Sequence, residues 1–486
     1  MRARMHGART ALTAALVVLG LCLGASPSIA SGSLKAGSSP SPKHAAAHHQ
    51  QSGHHHKPKP PKWKPPTGVA FNNPYGSFDE RFALEHRILE AIRHAPKKGF
   101  IRIAVYSFDR VPMAQALMAA HSRGVHVQVL LNDHEVTGAE RILFHGLGQD
   151  RHKKSFAYEC VESCRGHAHN LHTKFYLFSK SGGASRVIML GSDNLTLNAV
   201  KWQWNDLYTR YGAKNQYHSY VQLFDSMRHD YSKNQPYYVF CGHAATRHHK
   251  ARKCDEAKDF MVTRVYPKHT HADNDDIMEA LNAVTCVYGT KAGVQHTRVW
   301  VVMHTWRGTR GNYLAAKVRS LWAAGCDVKV DYGLIGFHTK QIIGAKTARG
   351  RIPLRSLGFD YNDDGVVDRY THQKNFTILG DWHGNKNAAV AFTGSSNFST
   401  LGTAQDEIVV SLRSRKIVHT YNVHFMLQWN SKRYSRNAYT TTYSDYGQPN
   451  TEAAGGGATR PMIRVRVKHV LNLPDHLRPG KTWESD

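Results

Sequence analysis

The sequence predicts an α/β protein of two similar lobes, each a mixed β-sheet flanked by helices, related by a pseudo-twofold axis. Three observations predict it. A His-x-Lys triplet occurs twice, as His172-Thr173-Lys174 and His372-Gln373-Lys374. Each is trailed by a Gly-Ser-x-Asn string, Gly191-Ser192-Asp193-Asn194 and Gly394-Ser395-Ser396-Asn397, with the Asn 22 and 25 residues after its histidine. Each is preceded by the same run of strand, glycine-stopped helix and strand, with 48 residues from Gly124 to His172 and 47 from Gly325 to His372. Agreement in order, spacing and motif indicates an internal duplication whose two motifs meet where the lobes join.

The elements follow in chain order. Ile88, Leu89 and Ile92 recur at helical spacing within Glu85–Ala95. Ile101–Phe108 is an apolar, β-branched run and predicts a strand. Met113–Arg123 predicts a helix ended by Gly124, and Val125–Leu131 a second strand. A strand–helix–strand unit implies a parallel pair joined by a right-handed crossover. His172–Phe178 and Val187–Leu190 read as short strands, the first carrying the His-x-Lys. In the second half Ile277, Met278 and Leu281 mark a helix, and Val299–Met303 a strand. That strand runs into His304-Thr305-Trp306 where the first half has Tyr106-Ser107-Phe108. Leu314–Ala324 is a helix stopped by Gly325, and Cys326–Val330 a strand.

The ends read differently. Arg2, Arg4 and Arg9, an apolar run from Ala11 to Ala25 and Ser28-Ile29-Ala30 predict a secretory signal over residues 1–30. The run is too short to span a membrane comfortably, and no later segment offers eighteen unbroken apolar residues. A secreted, extracellular protein is the expectation. Residues 31–67 are rich in Ser, Pro, Lys and Ala, with six histidines from His44 to His56, and predict a disordered linker. The lobes are expected over 68–240 and 255–450, with a polar, basic seam near 235–262. A C-terminal tail covers 451–486, holding one alternating strand at Ile463–Val470.

Six cysteines follow the signal segment, Cys160, Cys164, Cys241, Cys254, Cys286 and Cys326. An even count in an exported chain favours disulfides. Six cysteines allow fifteen pairings, and sequential pairing (160–164, 241–254, 286–326) is the expectation. A zinc set is the alternative, but only Cys160 and Cys164 have ligand-like spacing. The formal charge is +28, and residues 1–67 hold nine Lys/Arg and no acid, leaving +19 on the remainder. Such a surface suits an anionic partner: nucleic acid, anionic lipid or cell-wall polymer. It equally serves the solubility of an exported protein.

The repeated motif carries chemistry. Two imidazoles brought face to face can split a phosphodiester, one attacking phosphorus and the other protonating the leaving oxygen. Lys174, Lys374, Asn194 and Asn397 would hold the charged phosphoryl oxygens. The attacking ring must be neutral and the acid protonated, so neighbours must push the two pKa values apart. A carboxylate behind a ring would orient it and stabilise its cation. Asp206, 12 residues after Asn194, and Glu407, 10 after Asn397, are the candidate orienting acids. Service to the same lobe and service to the opposite lobe are both open to each.

The paired His-x-Lys and Gly-Ser-x-Asn sets, with the strand–helix–Gly–strand run before each, resemble the phospholipase D superfamily over roughly residues 78–430. The resemblance implies two lobes sharing one active site and a covalent phosphohistidine resolved by water or an alcohol. It assigns His172 as nucleophile and His372 as general acid, later base; the residues alone do not choose between them. It also implies that Ser192 and Ser395 bind substrate through further hydrogen bonds. No cofactor is required for that chemistry. The family places an Asp five residues after the lysine, where this chain has Ser179 and Leu379. That Asp is largely a structural anchor, and the tyrosyl-DNA phosphodiesterase branch also lacks it. Its absence weakens assignment to the main phospholipase branch more than it weakens catalysis.

Asp360, Asn362, Asp364 and Asp368, with Gly365 at the sixth position, resemble a calcium loop, although Thr371 stands where a bidentate Glu belongs. A structural calcium and an ordinary acidic turn are the two readings. Gly480-Lys481-Thr482 lacks the leading glycine of a phosphate-binding loop, since position 475 is Asp. The leading expectation is a secreted, monomeric phosphodiesterase, a phospholipid-headgroup hydrolase with peripheral membrane contact. The alternatives are a secreted nuclease or other nucleic-acid phosphodiesterase, and a catalytically silent binder of anionic polymers or membranes.

Overall fold

The computed structural model describes residues 62–242, 253–361 and 367–440, with the backbone of 445–446. The signal segment, nearly all of the linker and the C-terminal tail with its expected strand lie outside the described residues. So do Asn362 and Asp364. The described residues all belong to one compact unit.

Two sheets repeat one topology. In the first, the order across the sheet is Gly68–Phe71, Asp206–Arg210, Ala184–Gly191, Phe175–Ser181, Phe100–Val105, His126–Asn132 and Phe156–Cys160. In the second, it is Met261–Val265, Ile408–Arg413, Asn385–Gly394, Lys374–Trp382, Arg298–Trp306, Asp327–Gly336 and Leu354–Ser356. The first four junctions are antiparallel and the last two parallel in both sheets. A helix joins each parallel pair: Val111–Ser122 and Gly138–Leu147 in the first sheet, Gly308–Ala323 and Phe337–Gly344 in the second, as a crossover connection requires. The second sheet extends past this common set. Tyr238–Phe240, expected in the first lobe, pairs with Met261–Val265, so the chain on both sides of the seam joins the second sheet.

The apolar runs form the strands because their side chains are buried on both faces. Ile101 and Ile103 face the helices, while Ala104 turns to a second cluster that contains Phe175, Leu190, Ala391 and Val410. That cluster draws on both sheets, so the lobes share a hydrophobic seam. The His-x-Lys histidines sit just before their strands rather than inside them: the strands start at Phe175 and Lys374.

The three disulfides pair as the sequence predicts, Cys160–Cys164, Cys241–Cys254 and Cys286–Cys326. Among the described residues, no helix is long and apolar enough to cross a membrane.

Candidate active site

The motif glycine is explained by close approach. A Cβ on Gly191 would run into the Asp206 carbonyl, and one on Gly394 into the Ile408 carbonyl. Each glycine ends its strand and turns the chain so that the following Ser and Asn enter the space between the lobes. Ser192 and Ser395 then bond the backbone of the next strand, Ser192 Oγ accepting from the Asp206 amide at 3.1 Å and Ser395 Oγ from the Ile408 amide at 3.0 Å. Their hydroxyls also engage the orienting residues: Ser192 Oγ donates to Asn205 Oδ1 at 2.9 Å, and Ser395 bonds Glu407. The serines hold the site's frame, because their oxygens are committed to backbone amides and to the groups behind the rings.

The two lobes cross-pair beside the motifs. Tyr370–Thr371 forms a parallel ladder with Gln203–Trp204, and Leu171 bridges Asp406 in the same sense. The His372 amide donates to the Trp204 carbonyl at 2.9 Å, and the His172 amide to the Asp406 carbonyl at 3.0 Å. Each histidine is thereby laid against the strand entry of the opposite lobe.

What stands behind each ring follows. His172 Nδ1–H donates to Glu407 Oε1 at 2.6 Å. His372 Nδ1–H donates to Asn205 Oδ1 at 2.9 Å. Both bonds cross between lobes, so the orienting groups serve the opposite half. Glu407 lies where the sequence places an orienting acid. Asp206 does not: its Oδ2 accepts from Thr393 Oγ1 at 2.6 Å and Tyr421 OH at 2.7 Å, and Asn205 takes the position behind His372. The sheet register gives the reason. Gly191 pairs with Leu207 and Gly394 with Val409, so Asn205 is the structural counterpart of Glu407, and Asp206 that of Ile408. Burial drives the Asp206 carboxyl above its ordinary range.

The lysines cap their own turns. Lys174 Nζ donates to the His172 carbonyl at 2.7 Å and Lys374 Nζ to the His372 carbonyl at 2.9 Å. Asn397 is fixed by the Thr305 amide, which donates to its Oδ1 at 3.1 Å. His172, Lys174, Asn194, Asp206, His372, Lys374, Asn397 and Glu407 are each 3% exposed or less. The groups feel one another: His372 is held well below the usual imidazole range first by burial, then by Lys374, His304, Lys174 and His172. Burial pushes the Glu407 carboxyl up to about 7, with both lysines opposing the rise.

Further residues border the site without having been singled out from the sequence. His304 packs edge-on against His372 with ring centroids 4.7 Å apart, and its Nδ1–H donates to the Thr371 carbonyl at 3.0 Å. Its counterpart Tyr106 packs edge-on against His172 at 5.1 Å and stacks on His134. Alignment of Tyr106-Ser107-Phe108 with His304-Thr305-Trp306, at corresponding places in the two halves, was the available signal for both. Of the calcium-loop residues described, Asp360 and Asp368 are buried, and Asp368 Oδ2 accepts from the Tyr361 amide at 2.9 Å.

Residues 88–228 match the family model described as the PLD-like domain of cardiolipin synthase. That match assigns a PLD-like domain to those residues, which hold the first copy of the duplicated motif, His172-Thr173-Lys174 with Gly191-Ser192-Asp193-Asn194. No curated protein matches the chain. Similar solved structures include phosphatidylserine synthase of Haemophilus influenzae, at 11% identity and a TM-score of 0.46, covering 76% of this chain and 87% of that one. The polyphosphate kinase of Porphyromonas gingivalis gives 12% identity and 0.44, covering 74% of this chain and 49% of that one, so the match spans about half its length. The phospholipase D family member Nuc of Salmonella typhimurium gives 18% and 0.26, covering 34% and 98%.

Proposed function

We propose that the protein is an exported phospholipase D-type phosphodiesterase that cleaves or exchanges phospholipid headgroups through a phosphohistidine on His172. The observation that carries the reading is the pair of crossed bonds, Glu407 to His172 and Asn205 to His372. Each fixes Nδ1–H as donor and so leaves Nε2 as the reacting nitrogen, unprotonated on His172 and protonated on His372 once the anionic substrate is bound. His172 is the better nucleophile because its ring becomes cationic on forming the N–P bond, and the Glu407 carboxylate stabilises that cation. His372 Nε2–H gives its proton to the leaving oxygen as the P–O bond breaks. A carboxamide partner suits proton donation, since it orients the ring without holding the proton back.

In the second half of the reaction His372 Nε2 takes a proton from water or an alcohol as that oxygen attacks phosphorus and the N–P bond breaks. Lys174, Lys374, Asn194 and Asn397 stabilise the charge that builds on the nonbridging oxygens. By themselves, two lysines and a second imidazole disfavour a proton on His372. An anionic phosphodiester supplies the counter-charge, so the acid is loaded as substrate binds.

The matched family description favours a lipid substrate, and three disulfides with an N-terminal signal sequence favour export. A second reading, a nucleic-acid phosphodiesterase, has its own support. The Arg369 guanidinium lies between the Tyr75 and Trp202 rings at 4.4 and 5.0 Å, beside Arg433, on a chain of strongly basic charge. Cations and aromatics together suit stacked bases. Phosphatidylcholine vesicles and plasmid DNA offered side by side separate the readings. Choline release without nicking supports the first. Nicking, with binding that falls steeply in salt, supports the second. Binding with neither product supports a silent binder and overturns both.

A further inference from the structure

We propose that Asp406 is a positioning residue through which the Cys160–Cys164 disulfide holds Glu407 against His172. The inference rests on the phosphodiesterase reading and deepens it: it adds a device that makes one half of the site depend on a covalent bond outside it.

The argument starts at the loop. Residues 161–170 form no helix or strand. The disulfide closes their first turn at the end of the strand Phe156–Cys160, and both sulfurs are fully buried. Just past it, the Cys164 and Arg165 amides point at one carboxylate, that of Asp406. The Arg165 amide donates to Oδ1 at 3.2 Å and Oδ2 at 3.1 Å, and the Cys164 amide adds a further bond. Successive backbone amides of this kind make an anion-binding nest. The buried Arg165 guanidinium pins the loop from the other side, donating to the Tyr266 and Pro236 carbonyls at 2.7 Å each.

From Asp406 the hold passes straight to the catalytic pair. Its carbonyl accepts from the His172 amide, and its own amide donates to the Asn170 carbonyl at 3.1 Å. Asn170 Nδ2 donates to Gln405 Oε1 at 3.1 Å, and Gln405 Nε2 donates to Glu407 Oε1 at 2.9 Å. Glu407 is thus fixed by a segment that is itself fixed by the nest. The other half of the site has the same ladder but not this clamp. There the residue before the orienting group is Trp204, and among the described residues no disulfide adjoins Tyr370–Thr371. The clamp accompanies the carboxylate, the orienting group whose charge acts during the reaction and whose placement matters at the sub-ångström scale.

A dithiol reductant would open the clamp by passing two electrons and two protons to Cys160 and Cys164. The S–S bond becomes two thiols, and the reductant closes to its own disulfide. Because that reagent also reaches the other disulfides, the test uses variants: Asp406→Asn, and Cys160→Ser with Cys164→Ser. The loop closed is short, so circular dichroism should show a folded protein in each case.

With bis(p-nitrophenyl) phosphate as probe, kcat should fall about tenfold to hundredfold while KM holds within about threefold. In a Glu407→Gln background the same changes should cost less than about twofold, because the group they position is already disabled. The His172 Nδ1–H proton, assigned by its loss in His172→Ala, should shift or broaden in both clamp variants. Losses that multiply in the Glu407→Gln background would show a general structural role and overturn the proposal. So would an unmoved Nδ1–H resonance, which decides the matter even if the probe is a poor substrate. An active His172→Ala would instead overturn the phosphodiesterase reading. An inactive His172→Ala beside fully active clamp variants would remove the clamp alone.

Discussion

The two halves of the active site share a backbone and differ in what backs the ring. Behind His172 stands a buried carboxylate, Glu407, with a disulfide-closed loop bracing the residue before it. Behind His372 stands a carboxamide, Asn205, at the equivalent register position, with His304 packed on the ring. Strand order, cross-lobe ladder, lysine cap and serine frame are the same on both sides. On the mechanism proposed above, that one side-chain difference suffices to give the two rings different roles. A carboxylate favours a ring that acquires and keeps positive charge; a carboxamide favours a ring that gives its proton away.

The largest effect that could break this comparison is removal of either ring. His172→Ala and His372→Ala should each lower turnover of a lipid or nucleotide diester by more than about a thousandfold. A p-nitrophenyl diester separates them, since nitrophenolate leaves without an acid. His372→Ala should give a burst of nitrophenolate equal to the enzyme present, and His172→Ala none. A burst from His172→Ala instead would exchange the assignments.

Next in size are the groups around phosphorus. Lys174→Ala or Lys374→Ala should raise the barrier by about 3–4 kcal/mol, as loss of one oxyanion donor does. A loss of tenfold or less would put that lysine away from the phosphoryl group. Glu407→Gln makes the two halves chemically alike and should cost roughly a hundredfold or more in kcat.

Asn205→Asp makes them alike in the opposite direction and should act mainly on pH dependence. In the wild type His372 is held below the usual imidazole range, so kcat/KM should rise as pH falls below about 6.5. A carboxylate behind the ring raises its pKa and moves that limb to higher pH. An unchanged profile would disconnect position 205 from the acid.

The smallest effect is on stability. His424 stacks on Phe71 and meets Trp204 edge-on, beneath the Asn205 side, and burial lowers its pKa to about 3. Its folded pKa lies below the unfolded value near 6.5, so it costs nothing at pH 7. Stability drains as pH falls from about 6.5 toward 3, by on the order of 1.4 kcal/mol per unit. His424→Phe keeps the stacking and removes that drain, so denaturation midpoints at pH 7 and pH 5 should differ less than in the wild type. Equal differences would show that His424 is protonated in the folded protein.

Much of this was legible in the chain. The duplicated triplets, the glycine-stopped helices and the cysteine spacing are local patterns, and local patterns survive in sequence. Glu407 could be found because it is a carboxylate at a suitable distance from Asn397. Asn205 could not. Counting from Asn194 offers Asp206, the nearest acid, and only the strand register reveals that the equivalent position is one residue earlier. His304 stayed hidden for a similar reason: it lies within the buried strand Arg298–Trp306, and nothing local distinguishes a histidine of a core strand from one that borders a phosphoryl site. The crossed partnership between lobes is a property of tertiary pairing, which no count along one chain contains.

That crossing has a further consequence. A fragment holding only one half would carry a histidine without its backing group and a backing group without its histidine, so it would complete the arrangement only by pairing with a second copy of itself. Identical chains must present identical partners to both rings. Two copies joined in one chain are free of that restriction: Glu407 at one register position and Asn205 at its counterpart give the two imidazoles different partners within one centre.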